Sequence, residues 1–235
     1  MTPFFFSDIS GNRVTLYDEE AKHCVKVMRK REGEDVIGID GKGNMYRAQI
    51  EELGKRKAFL RILSQEKDWG EKPQQITLLV SPLHKVDRFE WLVEKSVELG
   101  VNQIIPYIGT HTVKTGVRVD RLERICMAAL KQCLRSRLPV IHEPVGFEEA
   151  IEMAESEMKL MGHGPSGKVF SGFQAEISQS DSLAILIGPE GDFDDRELAI
   201  AIEAGYHAVS LGSNRLRSET AAIHLLGLAK QAMGY

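Results

Sequence analysis

Apolar positions recur along this chain with two different periods. In the first 70 or so residues they come in short alternating runs, Arg13–Tyr17, Asp35–Asp40, Met45–Glu51 and Lys57–Leu63, the period of half-buried strands. Asp40-Gly41-Lys42-Gly43-Asn44 between two of them is a hairpin turn, because glycine tolerates positive φ. One helical stretch, Glu19–Met28, interrupts the series. Strands this short, with turns this frequent, predict a small β-barrel. Lys67–Pro73 (KDWGEKP) reads as a linker, which divides the chain into a domain at 1–71 and another at 72–235.

Beyond the linker, strand-like and helix-like segments alternate. Strands are expected at Ile76–Val80, Ile104–Ile108, Val140–His142, Lys159–Met161, Leu183–Ile187 and Ala208–Leu211. Helices are expected at Asp87–Leu99, Asp120–Leu134, Phe147–Met158, Asp195–Ala204 and Glu219–Ala232. In the first helix Phe89, Leu92, Val93, Ser96 and Val97 share one stripe, and Gly100 ends it. In the second, Asp120 is the expected N-cap, with Leu122, Ile125, Cys126, Ala129 and Cys133 inward. Such alternation predicts a mostly parallel sheet with helices on both faces. Gly162–Gly172, rich in Gly and Ser, is expected to be a mobile loop.

Charge adds a polarity to this division. The net charge is −4. Residues 1–72 carry +1, residues 73–137 carry +4 and residues 138–235 carry −9. A basic front on an acidic back fits a polyanion bound on one face. No apolar run reaches the roughly 18 residues of a membrane span, and Phe4–Phe6 is too short for a signal-peptide core, so a cytoplasmic protein is expected. Cys24, Cys126 and Cys133 match no zinc spacing and read as reduced packing residues. His23, His84, His111 and His163 are not spaced as a metal set, so no metal is expected; His163 is placed to border a ligand pocket.

Ligands of open parallel sheets sit beyond the carboxyl ends of the strands, where two loops stand out. Leu183–Ile187 runs into Gly188-Pro189-Glu190-Gly191, with Asp194 and Glu197 spaced as a capping box for the next helix. Ala208–Leu211 runs into Gly212-Ser-Asn-Arg215-Leu216-Arg217-Ser218-Glu219-Thr220-Ala221, a short basic loop before a helix with Ser218 as the expected cap. Helix-start amides bind anions. Each loop alone could be an ordinary strand-to-helix turn. No strand is followed by GxGxxG, and GxxxxGK[ST] is absent, which argues against a dinucleotide enzyme or a P-loop ATPase.

In order, strand–GPEG–F–helix–strand–LG–x–x–x–LR–x–ETA–helix resembles the knotted methyltransferases of the SPOUT class. More narrowly, it is similar to the ribosomal RNA small subunit methyltransferase E family, which methylates N3 of a uridine in 16S rRNA. Glu94–Val101 is similar to that family's EKxxELGV, Gln132–Pro139 to its QxxRxxxP, and His23–Arg29 through Gly33–Asp35 to its HxxxVLR…GD. The chain departs from the pattern at Asp192, where a second glycine is usual, at Lys131, where a glutamate is common, and at Phe4 after Pro3, where an arginine is expected.

The resemblance implies a PUA-like RNA-binding β-barrel in front and a trefoil-knotted α/β methyltransferase domain behind. It also implies a homodimer, with S-adenosylmethionine as methyl donor and 16S rRNA or the small ribosomal subunit as substrate. Carried over, the donor would be held by Leu186, Ile187, Gly188, Pro189, Glu190, Gly191, Leu211, Gly212, Asn214, Leu216 and Arg217, with Thr220 and Ala221 closing the pocket. The expected catalytic groups are Arg217, then Arg135, with Glu190 as a base or a loop-holding residue. RNA would be gripped by Lys22, Lys26, Arg29, Lys30 and Arg31, and by Arg124, Lys131 and Arg135 at i, i+7 and i+11 of one helix. Another SPOUT RNA methyltransferase, acting on a ribose hydroxyl or a different base, and a non-catalytic RNA-binding assembly factor are the competing readings.

Overall fold

The computed structural model describes residues 2–54, 56–164 and 167–234. The chain forms two compact units, Met1–Glu71 with Met127–Leu138, and Lys72–Cys126 with Pro139–Tyr235. No composition signal marks the return of residues 127–138 to the first unit.

The first unit is a curled six-stranded sheet. Its strands are β1 (Phe4–Phe5), β2 (Asp8–Ser10), β3 (Arg13–Tyr17), β4 (Asp35–Ile39), β5 (Asn44–Leu53) and β6 (Lys57–Lys67), in the order β1-β4-β5-β6-β3-β2. All pairings are antiparallel except β1 with β4. The alternation seen in the sequence is the core: Val14, Leu16, Val36, Ala48, Ile50, Ala58 and Leu60 point inward together with Phe4, Phe6 and Cys24. The tip of the Phe6 ring meets Gly38, where a Cβ would come within 2.2 Å of its Cζ. β1 and β2 are too short to show a period, and the second half of β6 is solvated on both sides, so neither carries a hydrophobic pattern. The stretch expected as one helix, Glu19–Met28, is instead a helical turn α1 (Asp18–Lys22) continued by a π-helical turn at His23–Val27. Gly70 (φ 70°) is where the returning segment meets the linker; a Cβ there would sit 2.2 Å from the Leu134 carbonyl oxygen.

The second unit is a parallel sheet of β7 (Gln75–Val80), β8 (Gln103–Ile108), β9 (Val140–Ile141), β10 (Val145–Gly146), β11 (Met158–Gly162), β12 (Lys168–Val169), β13 (Ser182–Ile187) and β14 (His207–Ser210). The order is β10-β8-β7-β13-β11-β14-β12, with β9 also on β8. After β11 the chain forms β12 at the sheet edge, crosses to β13 on the far side of β11, then returns to β14 between β11 and β12. Helices α2 (Val86–Glu98), α3 (Val119–Cys133), α4 (Phe147–Met153), α5 (Gln174–Gln179), α6 (Asp195–Glu203) and α7 (Ser218–Ala232) connect the strands. α2 buries the expected stripe and ends before Gly100 at φ 95°. Ala184 and Leu186 of β13 join Phe147, Ile151 and Ala201 in the core under α4 and α6. Successive strand residues face opposite ways, so Ile185 and Ile187 point to the other face.

Several expected boundaries move. α4 stops at Met153, and Met158 begins β11 by pairing with Leu183; a short apolar run does not distinguish buried helix from buried strand. Asp120 lies inside α3 rather than capping it, since the helix starts at Val119. α3 ends at Cys133 because Leu134 adopts φ 61°, so Arg135 is not on the helix and the expected stripe with Arg124 and Lys131 does not form. Within Gly162–Gly172, expected to be a mobile loop, Lys168–Val169 pair with Val209–Ser210 and Phe170–Gly172 form a 3-10 turn; Pro165 and Ser166 lie outside the described residues. No helix among the described residues is long and apolar enough to cross a membrane.

Candidate functional site

β11, β13 and β14 lie side by side, and the segments that follow them enclose a cavity of about 440 Å³ in the second unit. His163 and Gly164 come from the first, Gly188–Glu190 and Asp192 from the second, and Leu211, Gly212 and Asn214–Arg217 from the third, with Arg88 reaching in from α2. The floor is apolar, formed by Ile187, Val209, Leu211, Leu216 and Ala221. Three arginines (88, 215 and 217) and two carboxylates (Glu190 and Asp192) line it, so the wall carries charge of both signs.

Backbone geometry accounts for the glycines. A Cβ at Gly188 would approach the Phe193 ring to 3.0 Å, and one at Gly191 would lie 2.8 Å from Cβ of His111. Gly212 has φ 117°, outside the range of L side chains. Asp192 has φ 66°, a left-handed conformation that favours glycine. Its Oδ1 accepts from the Phe193 N–H at 2.9 Å, and its own N–H donates to the Pro189 carbonyl at 3.0 Å. The capping box expected for α6 is present, with Asp194 accepting from the Glu197 N–H and Glu197 from the Asp194 N–H. Arg217, not Ser218, is the N-cap of α7; its side chain caps nothing, and Ser218 is the first helical residue.

Of the expected donor-site residues, Ile187, Gly188, Pro189, Glu190, Leu211, Gly212, Asn214, Leu216, Arg217 and Ala221 line this one cavity. Leu186, Gly191 and Thr220 do not. Leu186 faces the α4/α6 core, Gly191 packs on His111, and Thr220 is exposed on α7 beside the lining Ala221. The Glu190 carboxylate accepts from the His84 N–H at 3.0 Å, and its carbonyl accepts from Arg215 at 3.4 Å, which ties the two loops together. Arg88 has no warning in the sequence, because it occupies an ordinary polar position of an amphipathic helix. In the fold its Nη1 lies 3.6 Å from the buried Glu219 carboxylate of α7. His163 borders the cavity as expected, and its buried Nδ1 has no hydrogen-bond partner.

Arg135 is not among the residues lining this cavity. It belongs to the first unit, where its buried guanidinium is paired with Glu71. In the same unit Lys22 pairs with Glu19, Lys30 with Glu34 and Lys131 with Glu20. Lys26, Arg29 and Arg31 are exposed. In the second unit Arg124 pairs with Asp120.

Comparison with known proteins fits this geometry. A family profile described as "RNA methyltransferase domain" matches residues 70–230, and one described as "RNA methyltransferase PUA domain" matches residues 16–63. The fold is therefore that of an RNA methyltransferase with a PUA domain in front. A Bacillus subtilis protein named ribosomal RNA small subunit methyltransferase E is 26% identical, over 90% of this chain and 87% of its own. One of that name from Mesomycoplasma hyopneumoniae is 32% identical, over 66% and 69%. The solved structure of that enzyme from Neisseria gonorrhoeae, bound to S-adenosylmethionine, superposes with a TM-score of 0.85 at 31% identity, covering 96% of this chain and 95% of that one. The chain belongs to the ribosomal RNA small subunit methyltransferase E family.

Proposed function

We propose that this protein methylates N3 of a uridine near the 3′ end of 16S rRNA, with S-adenosylmethionine as donor, and that it works in the cytoplasm as a homodimer. The observation that carries this is the single cavity formed by the Gly188–Asp192 and Leu211–Arg217 loops beyond the ends of β13 and β14. Its features fit the donor. Gly212, with nothing within 4 Å of its Cβ position, leaves room for close approach, the apolar floor suits an adenine ring, and the orphaned Nδ1 of His163 awaits a polar partner.

When bound, S-adenosylmethionine supplies a methyl group made electrophilic by the adjacent sulfonium. The protein's part is positioning, exclusion of water and charge placement. Uracil N3 must lose its proton, and the resulting negative charge spreads onto O2 and O4. Arg217, exposed at the cavity and free of any side-chain capping bond, is suited to donate to that anion. Glu190 acts as a loop holder, its carboxylate being engaged by His84. Lys26, Arg29 and Arg31 of the first unit supply phosphate contacts.

Mass spectrometry of 16S rRNA from a strain lacking the gene tests the reading. One methyluridine near the 3′ end should disappear and return on complementation. Unchanged modification, or loss of a ribose methyl, would overturn it.

A further inference from the structure

Asp192 combines three properties that no structural need explains together. Its φ of 66° is a conformation that a glycine would adopt without cost. Its carboxylate lines the cavity, and none of the hydrogen bonds among the described residues uses Oδ2. Its Oδ1 faces Nδ1 of His163 at 3.7 Å, too far for a hydrogen bond, and that nitrogen is buried without a partner. A carboxylate and an unpartnered imidazole nitrogen on one stretch of wall are both able to accept. The group that satisfies them together is a cation that also donates N–H bonds. A sulfonium has no proton to donate; a primary ammonium has three.

We propose that Asp192 and His163 form the subsite for the α-ammonium of the donor's amino-acid tail, with Asp192 as a specificity-determining residue. This rests on the donor-site reading of the cavity. The remaining charges are consistent with it. Glu190 and Asp192 each accept one backbone N–H on one oxygen, and of the two it is Asp192 that faces His163, so Asp192 is the lining carboxylate assigned to the cation. Arg88, Arg215 and Arg217 leave the tail's carboxylate to the cationic part of the wall. His111 holds the Asp192 carbonyl at 2.9 Å and so fixes the turn from outside the cavity.

The test is calorimetric titration with two probes, S-adenosylhomocysteine and 4-(5′-adenosylthio)butanoate, which differ only in the α-amino group. The wild-type protein should prefer the amino-bearing probe by about tenfold, the scale of one charge-assisted hydrogen bond. Asp192→Asn and Asp192→Gly should lose most of that preference through weaker binding of S-adenosylhomocysteine, leaving the butanoate unchanged. His163→Phe should lose part of it. Glycine is at ease at this φ, and a thermal melt confirms that each variant is folded. Equal weakening of both probes, or a preference kept in both Asp192 variants, would overturn the subsite while leaving the donor site in place. Failure of the wild-type protein to bind S-adenosylhomocysteine and S-adenosylmethionine would overturn both.

Discussion

Glu71 and Arg135 form a buried ion pair at 2.9 Å, with side-chain exposures of only 5% and 7%. Glu71 also accepts from the backbone N–H groups of Ser136 and Arg137 at 2.8 and 2.7 Å, so one carboxylate pins the start of the linker to the returning segment. Removing one partner of such a pair strands the other charge, at a cost of about 3–5 kcal/mol. Glu71→Ala and Arg135→Ala should each lower stability on that scale in urea unfolding. An Arg135→Ala protein of wild-type stability that cannot transfer methyl groups would instead restore Arg135 as a catalytic group.

Arg217 presents the opposite case. It is exposed, and its side chain contributes no capping bond. Arg217→Ala should stay within about 0.5 kcal/mol of wild-type stability, as surface substitutions usually do. Methyl transfer to 16S rRNA should fall by at least about 100-fold, on the scale of losing a transition-state hydrogen-bond donor. Activity within a few fold of wild type would remove Arg217 from the mechanism.

Gly212 tests the second loop. Nothing lies within 4 Å of a Cβ built there, so the penalty of Gly212→Ala is the φ of 117° alone. The loop must then distort or the fold must lose about 1–2 kcal/mol. Chemical denaturation should register the loss, with weaker S-adenosylmethionine binding by calorimetry.

Asp194 provides a pH dependence. The Glu197 backbone N–H and then the Thr110 hydroxyl hold its carboxyl below the ordinary value of 3.8. A depressed folded pKa contributes stability that is present above 3.8 and is lost as pH falls through the folded value. Asparagine keeps the capping acceptor and cannot titrate. Asp194→Asn should therefore lose less stability on the acid side than wild type, as read by thermal melts from about pH 5 downward.

Lys26 and Arg31 are exposed, whereas Lys30 is shielded and paired with Glu34. Charge reversal at Lys26 and Arg31 should weaken rRNA binding. It should also flatten the plot of log affinity against log salt by about 0.7–0.9 per lost phosphate contact. An unchanged slope would place the RNA elsewhere.

Six strands and five helices beyond the linker, the α2 stripe and the α6 capping box were legible in the sequence, because each rests on local periodicity or on a side chain reaching its own backbone, whereas the short β10, β12 and α5 were not. The two glycine-bearing loops were legible too, as motifs. Other features depend on which distant segments meet, and that is decided only by packing. β1 and β12 are two residues each and exist only because β4 and β14 offer free edges. Arg135 reads as a free cation until the fold seats it against Glu71, and Arg88 reads as a solvated helix residue until Glu219 comes within reach. Asp192 shows the division most sharply. The sequence marked a carboxylate where its family usually has glycine; the tertiary structure supplied the left-handed backbone that makes glycine usual and the orphaned His163 nitrogen beside it. Local sequence sets periods and caps, but partners far apart along the chain are chosen by the burial of surfaces that no short window contains.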